Sequence, residues 1–175
     1  NPIKLINELD IIDNTARQKL LVEFNNTNKR YSHDLCIHQL IEQQVKLQAD
    51  NVAVVLANQR LTYRELNDRS NQLAHYLHHV VGIKQETLVG IYVERSVEML
   101  VGLLGILKAG GAYLPLDPVY PHERLAFMLE DSQVKVLLTQ EKLAKTLPDH
   151  DTQLICLDTI WDKISQESDE NLISK

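Results

Sequence analysis

Between Val52 and Leu157 the chain alternates short apolar runs with longer stretches of helical periodicity. That alternation constrains the fold more than any other feature. It predicts an α/β layer of mostly parallel strands with flanking helices, preceded by a small β-hairpin. The runs Val52–Leu56, Leu88–Val93, Ala112–Leu114, Val134–Leu138 and Gln153–Leu157 read as strands. Residues 60–62 return on the first run after a turn at Asn58-Gln59. Leu88–Val93 has few polar residues, which predicts burial on both sheet faces.

Helix signals fill the gaps. Ile37, Leu40, Ile41 and Val45 share one face of a helix over 34–47. Thr62 at an N-cap places Glu65 at N3, a capping box, and lets Leu61 and Leu66 close a hydrophobic staple. Leu73, Ala74 and Leu77 continue that helix towards a stop at Gly82. Ser96 caps a helix over 97–109 that is apolar nearly all round, so it belongs at the centre. Lys108 lies in its last turn, where a cation suits the helix dipole. Gly110 and Gly111 fit the C′ and C″ places of a Schellman ending. Pro121 suits N1 of a further helix with Leu125, Met128 and Leu129 inside, and residues 141–147 form a short one. Three segments follow: an arm over 1–30, with a helix over 14–24 and a polar linker after it; an α/β portion over 31–165; and a polar, loose tail over 166–175.

Composition removes several functions. The 175 residues carry a formal charge of −6 and no basic block, a poor match to a phosphate backbone, so no nucleic-acid partner is expected. The longest apolar run, Met99–Leu107, is far short of the ~20 residues of a membrane span. There is no signal pattern at the N-terminus. Two distant cysteines, Cys36 and Cys156, make neither a disulfide framework nor a zinc ribbon. A cytoplasmic setting is expected.

Candidate chemistry is sparse. Gly105 and Gly110 have the spacing of a phosphate loop's glycines, but Gly111 and Ala112 stand where Lys and Ser or Thr belong. The polarity is also reversed. A phosphate loop leads into a helix N-terminus, whereas here a helix runs into the glycines. No glycine follows Gly111. His75, His78 and His79 can share a helix face, yet no carboxylate or cysteine follows at a ligand spacing, and a solvated helix end accounts for them. Cys36 lacks an activating arrangement. Asp117 reads as a turn residue bonding backbone N–H groups. Asn25-Asn26-Thr27 matches a glycosylation sequon, but nothing else in the chain points to secretion. No catalytic, cofactor-binding or metal residue is nominated.

The block from Leu107 to Asp117, Leu-Lys-Ala-Gly-Gly-Ala-Tyr-Leu-Pro-Leu-Asp, continues with Pro118, Tyr120, Pro121 and Arg124. It resembles the second core motif of adenylation domains in nonribosomal peptide synthetases. Leu61–Leu66 resembles their first core motif. The likeness runs from about Tyr31 to Gln140, and the preceding arm, with Ile6, Glu8, Leu9, Leu20 and Leu21, is similar to their condensation–adenylation linker. Acyl-CoA ligases of the same superfamily usually lack the continuation Asp117-Pro118-Val119-Tyr120-Pro121.

The resemblance implies the N-terminal part of an acyl-adenylate-forming fold, an incomplete domain. It implies an intact parent that activates an amino acid with ATP and Mg²⁺ and loads it on a carrier-bound phosphopantetheine. Condensation and peptidyl carrier domains would be its partners in cis. The family's phosphate loop and late lysine have no counterpart here, so the chain alone is expected to be inactive. Two alternatives stand beside this reading: a non-catalytic interaction module, and a piece of an acyl-CoA ligase.

Overall fold

The computed structural model describes residues 12–30 and 34–172. Ile6, Glu8, Leu9, Tyr31, His33 and the last three tail residues lie outside the described residues. The chain divides into two compact units, Asn1–Leu35 and Cys36–Lys175.

In the first unit, α1 spans Asn14–Gln18 and widens into a π-helical turn over Lys19–Glu23. Ala16 N donates to Asp13 Oδ1 at 2.6 Å, which satisfies one free N–H of the first turn. Asn25 Nδ2 donates to Leu20 O at 2.8 Å and Leu21 O at 3.2 Å, so the sequon asparagine closes the helix end. Leu20, Leu21 and Phe24 are exposed.

The second unit begins with α2 (Ile37–Gln48), where Cys36 N donates to Gln39 Oε1 at 2.8 Å. The hairpin β1 (Val52–Leu56) and β2 (Gln59–Thr62) follows. Leu56 pairs with Gln59, so the turn is Ala57-Asn58, one residue earlier than the sequence suggests. Helix α3 covers Tyr63–Tyr76 and ends in a π-turn over Leu77–Val81. Its start is the predicted capping box: Glu65 N donates to Thr62 Oγ1 at 3.2 Å, and Thr62 N to Glu65 Oε2 at 2.8 Å. Gly82 stops it with φ +81°.

Then come β3 (Leu88–Tyr92), α4 (Val97–Lys108), β4 (Ala112–Pro115), α5 (His122–Ser132), β5 (Val136–Thr139), α6 (Glu141–Ala144), β6 (Gln153–Cys156) and α7 (Trp161–Ile164). Pro121 is the N-cap of α5, not N1. Its carbonyl accepts from Arg124 N and Leu125 N, and its own backbone is extended.

Strands β3 to β6 form one parallel sheet in the order β4-β3-β5-β6. The chain steps from β3 to β4 on one side, then crosses back to β5 on the other. Right-handed crossovers put α4 and α5 on opposite faces, and the side chains sort accordingly. Val89, Ile91 and Val93 join Val136 and Leu138 against Leu73, Leu77, Val101 and Ile106 of the α3–α4 layer. Tyr92 and Leu137 face Leu125 and Leu129 of α5. This is the period of 2 expected of a strand buried on both sides.

Two close contacts seat α4. Its C-terminal end is a Schellman motif: Gly111 N donates to Ile106 O at 2.9 Å, Gly110 N to Leu107 O at 3.1 Å, and Gly110 takes φ +86°. At Gly105 an added Cβ would meet Leu73 Cδ2 at 2.7 Å and Leu73 Cγ at 2.8 Å, so glycine lets α3 and α4 approach.

The tail departs from expectation. Residues 165–172 are not loose but lie along α3, with hydrogen bonds to Asn67, Asn71, Gln72 and His75. Leu172 packs against the α3–α4 core.

Candidate functional site

The loops after β3 and β4 leave the sheet towards opposite faces. Adjacent strands whose chains part in this way open a crevice at their C-terminal ends, the usual ligand position in open α/β sheets. A cleft of about 870 Å³ lies there. Glu94 and Arg95 come from the β3 exit, Asp117 and Tyr120 from the β4 exit, and Met99 and Leu103 from α4.

Its walls are held by specific bonds. Tyr92 is buried, and its hydroxyl lies 3.1 Å from Thr146 Oγ1. Thr139 Oγ1 donates to Tyr92 O at 2.8 Å. Glu94 N donates to Gln140 Oε1 at 3.1 Å, which ties the β3 exit to the β5 exit. Val119 N donates to Asp117 Oδ1 at 2.9 Å, so Asp117 holds its turn as the sequence indicates. The Arg124 guanidinium stacks 4.0 Å from the Tyr120 ring centroid and stiffens the same loop. The cleft can bind and orient an apolar body with a polar end.

A second cavity, about 780 Å³, lies at the C-terminal end of α4. Lys108, His38, His75, Gly110 and Asn171 line it. Lys108 lies in the last turn of α4, as the sequence indicates, and is buried there. It forms an ion pair with Glu42 and donates to Asn171 Oδ1 at 3.2 Å. Burial lowers the Lys108 pKa below 10.5, and the Glu42 carboxylate opposes that shift. Burial also lowers the His38 pKa below 6.5, against Glu42 and with Lys108.

The structure brings His75, His78 and His79 together on the wall of this cavity, with ring centroids 5.4 Å apart for His75 and His79 and 5.3 Å for His78 and His79, but each ring meets a different partner. His75 Nε2 meets Glu170 O at 3.0 Å, His78 Nδ1 meets Ile83 O at 3.1 Å, and His79 Nδ1 lies 3.9 Å from Glu167 Oε2. Among the described residues no group of three or more His, Cys, Asp or Glu side chains is placed to hold a metal. Cys156 is a free cysteine whose thiol pKa is raised by burial. The glycine pair offers no anion cradle, because both N–H groups are spent on helix carbonyls. These residues therefore do not fit a triphosphate.

The sequence profile of the AMP-binding enzyme family matches residues 41–174. The chain belongs to the AMP-binding enzyme family. It is 49% identical over 171 residues to a component of the linear gramicidin synthase of Brevibacillus parabrevis, covering 98% of this chain and 3% of that protein. Bacitracin synthase 1 of Bacillus licheniformis is 46% identical over 153 residues, 87% of this chain and 3% of the relative. The chain thus spans a small fraction of the length of the curated relatives it matches.

Among solved structures, the nonribosomal peptide synthetase FmoA3 in its AMPPNP-bound form superposes with a TM-score of 0.76 at 29% identity, over 91% of this chain and 17% of that one. The Klebsiella oxytoca NpsA N-terminal subdomain shares the fold, with a TM-score of 0.68 at 20% identity over 79% of this chain and 34% of that one. The four-stranded parallel sheet with its small hairpin is the N-terminal part of the acyl-adenylate-forming fold in this AMP-binding family. The block from Leu107 to Asp117 carries the end of α4 into β4 and on to the cleft. Among the described residues no helix is long and apolar enough to cross a membrane.

Proposed function

We propose that this chain is the N-terminal portion of a nonribosomal peptide synthetase adenylation domain. In the whole protein that domain activates an amino acid with ATP and Mg²⁺ and passes it to a carrier-bound phosphopantetheine. The observation that carries the proposal is the 49% identity to a linear gramicidin synthase component across 98% of the chain. The continuation Asp117-Pro118-Val119-Tyr120-Pro121 supports the peptide synthetase branch over an acyl-CoA ligase.

On this reading residues 1–30 are a condensation–adenylation linker, the portion from residue 31 to 165 is scaffold, and 166–175 is a polar exit segment. Condensation and carrier domains are the partners in cis, and the setting is cytoplasmic. The chain's own contribution is architectural. Its capping box and Schellman motif start and end the two helices that seat the sheet, and no bond-making step is assigned to its residues.

Amino-acid-dependent exchange of pyrophosphate into ATP tests this. The whole protein is expected to exchange with one or a few amino acids, and the 175-residue chain with none. Exchange by the chain alone would overturn the scaffold role. Activation of fatty or aryl acids with transfer to coenzyme A would overturn the synthetase assignment.

A further inference from the structure

Helix α3 presents a polar stripe at four-residue spacing, Asn67, Asn71 and His75, which continues in its π-turn with His79. Each of these side chains meets the segment 165–172. Asn71 Nδ2 donates to Asp169 O at 2.5 Å, His75 Nε2 meets Glu170 O at 3.0 Å, and His79 faces Glu167 at 3.9 Å. Gln72 Nε2 donates to Ser165 O at 3.2 Å.

Asn171 is the centre of this seam. Its Oδ1 accepts from Asn67 Nδ2 at 3.2 Å, Asn71 Nδ2 at 2.9 Å and Lys108 Nζ at 3.2 Å. One oxygen therefore ties the segment to both α3 and α4. The seam is made of side-chain polar contacts, with Leu172 as the apolar contact at its end.

Such contacts exchange for water at small net cost, about 0.5–1.5 kcal/mol each. On opening, the Asn67 and Asn71 amides can hydrate fully. Their Oδ1 atoms, buried and without a partner in the closed form, would gain one. The sheet has no such compensation. A region with few buried apolar contacts and an exchangeable polar seam opens below the global unfolding free energy.

We propose that residues 165–172 form a strap that opens and closes over α3 as a unit, with Asn171 as its latch. Glu170, Asn171 and Leu172 form one wall of the cavity at the end of α4, so opening unroofs that cavity beside Lys108. The device does not depend on the activity proposed above.

Native-state proteolysis of the 175-residue chain with a glutamate-specific protease reads the strap directly at Glu167 and Glu170. Cleavage there is expected in the folded protein, with a much weaker urea dependence than global unfolding. Asn171→Ala removes the acceptor shared by Asn67, Asn71 and Lys108, although Asn71 keeps Asp169 O and Lys108 keeps Glu42, and is expected to speed cleavage at least about tenfold. Asn171→Asp keeps an acceptor at the same place and makes its bond to Lys108 charge-assisted, so cleavage is expected to be no faster than in the parent. Two results would overturn the strap: cleavage of the parent chain with the full urea dependence of unfolding, or an Asn171→Ala rate equal to the parent's. The parent's urea dependence decides the question even if the alanine variant fails to fold.

Discussion

Lys108 on α4 and Glu42 on α2 form an ion pair in which the lysine side chain is 1% exposed and the glutamate 17%. A buried pair of this kind weakly favours folding, because two desolvation costs offset the attraction. Removing one partner is different, since it strands a charge.

Glu42→Gln leaves the Lys108 ammonium buried with neutral hydrogen-bond partners and only the Asp68 carboxylate, beyond ion-pair distance, to oppose its charge. It is expected to cost about 3 kcal/mol in urea unfolding. Lys108→Met is expected to cost less, because Glu42 retains some solvent. In the double variant the costs should not add, with a coupling of at least about 1 kcal/mol. Additive costs would mean that the two side chains do not depend on each other.

His38 lies against the same pair, and burial holds its pKa below 6.5. The unfolded chain then binds more protons in the interval below 6.5, so stability falls as pH is lowered through it. Glu42 works against this shift and Lys108 with it. Melting temperatures between about pH 8 and about pH 5 should show a smaller acid loss in His38→Gln than in the parent. An equal loss in both would place the acid sensitivity elsewhere.

The parts of this fold legible in sequence are the local ones. Thr62 and Glu65 are three residues apart, and Gly110 and Gly111 follow directly on their helix, so composition and spacing suffice. The burial of Lys108 is not legible, because its partners Glu42 and Asn171 are each more than sixty positions away in the chain. A signal is nevertheless present. A lysine on a helix that is apolar nearly all round has little solvent face to occupy. The tail misleads for a related reason: polar residues at 165–172 suggest solvent, whereas the polar stripe of α3 supplies their partners. The cleft at the β3 and β4 exits depends on strand order, which no local pattern encodes.

Gly110 is the one glycine in the Schellman motif whose conformation is at issue, at φ +86°. An added Cβ would meet Gln85 Cα at 3.5 Å, an ordinary contact, so the penalty is conformational rather than steric. Gly110→Ala is expected to lose about 1–2 kcal/mol. Gly110→Asn should lose less, because asparagine tolerates the left-handed region. Chemical denaturation of the two variants checks the order. An alanine variant as stable as the parent would show that the turn relaxes to another geometry.

Gly105 sets two effects against each other. In mid-helix, alanine is better than glycine by about 1 kcal/mol. Against that, the new Cβ would lie 2.7 Å from Leu73 Cδ2, 2.8 Å from Cγ and 3.1 Å from Cβ. Rotation of Leu73 can clear the first two contacts but not the third, which is fixed to the α3 backbone. Leu73 is also fully buried, so its rotation disturbs the core that seats the sheet. Overpacking costs about 1–3 kcal/mol and should outweigh the propensity gain. Gly105→Ala is therefore expected to be neutral to destabilising by about 2 kcal/mol. In a Leu73→Ala background, where the two closest atoms are gone, the same change should turn stabilising. Urea unfolding of the four proteins measures this reversal. A Gly105→Ala variant more stable than the parent, with Leu73 in place, would mean that α3 and α4 do not meet as closely as the structure places them.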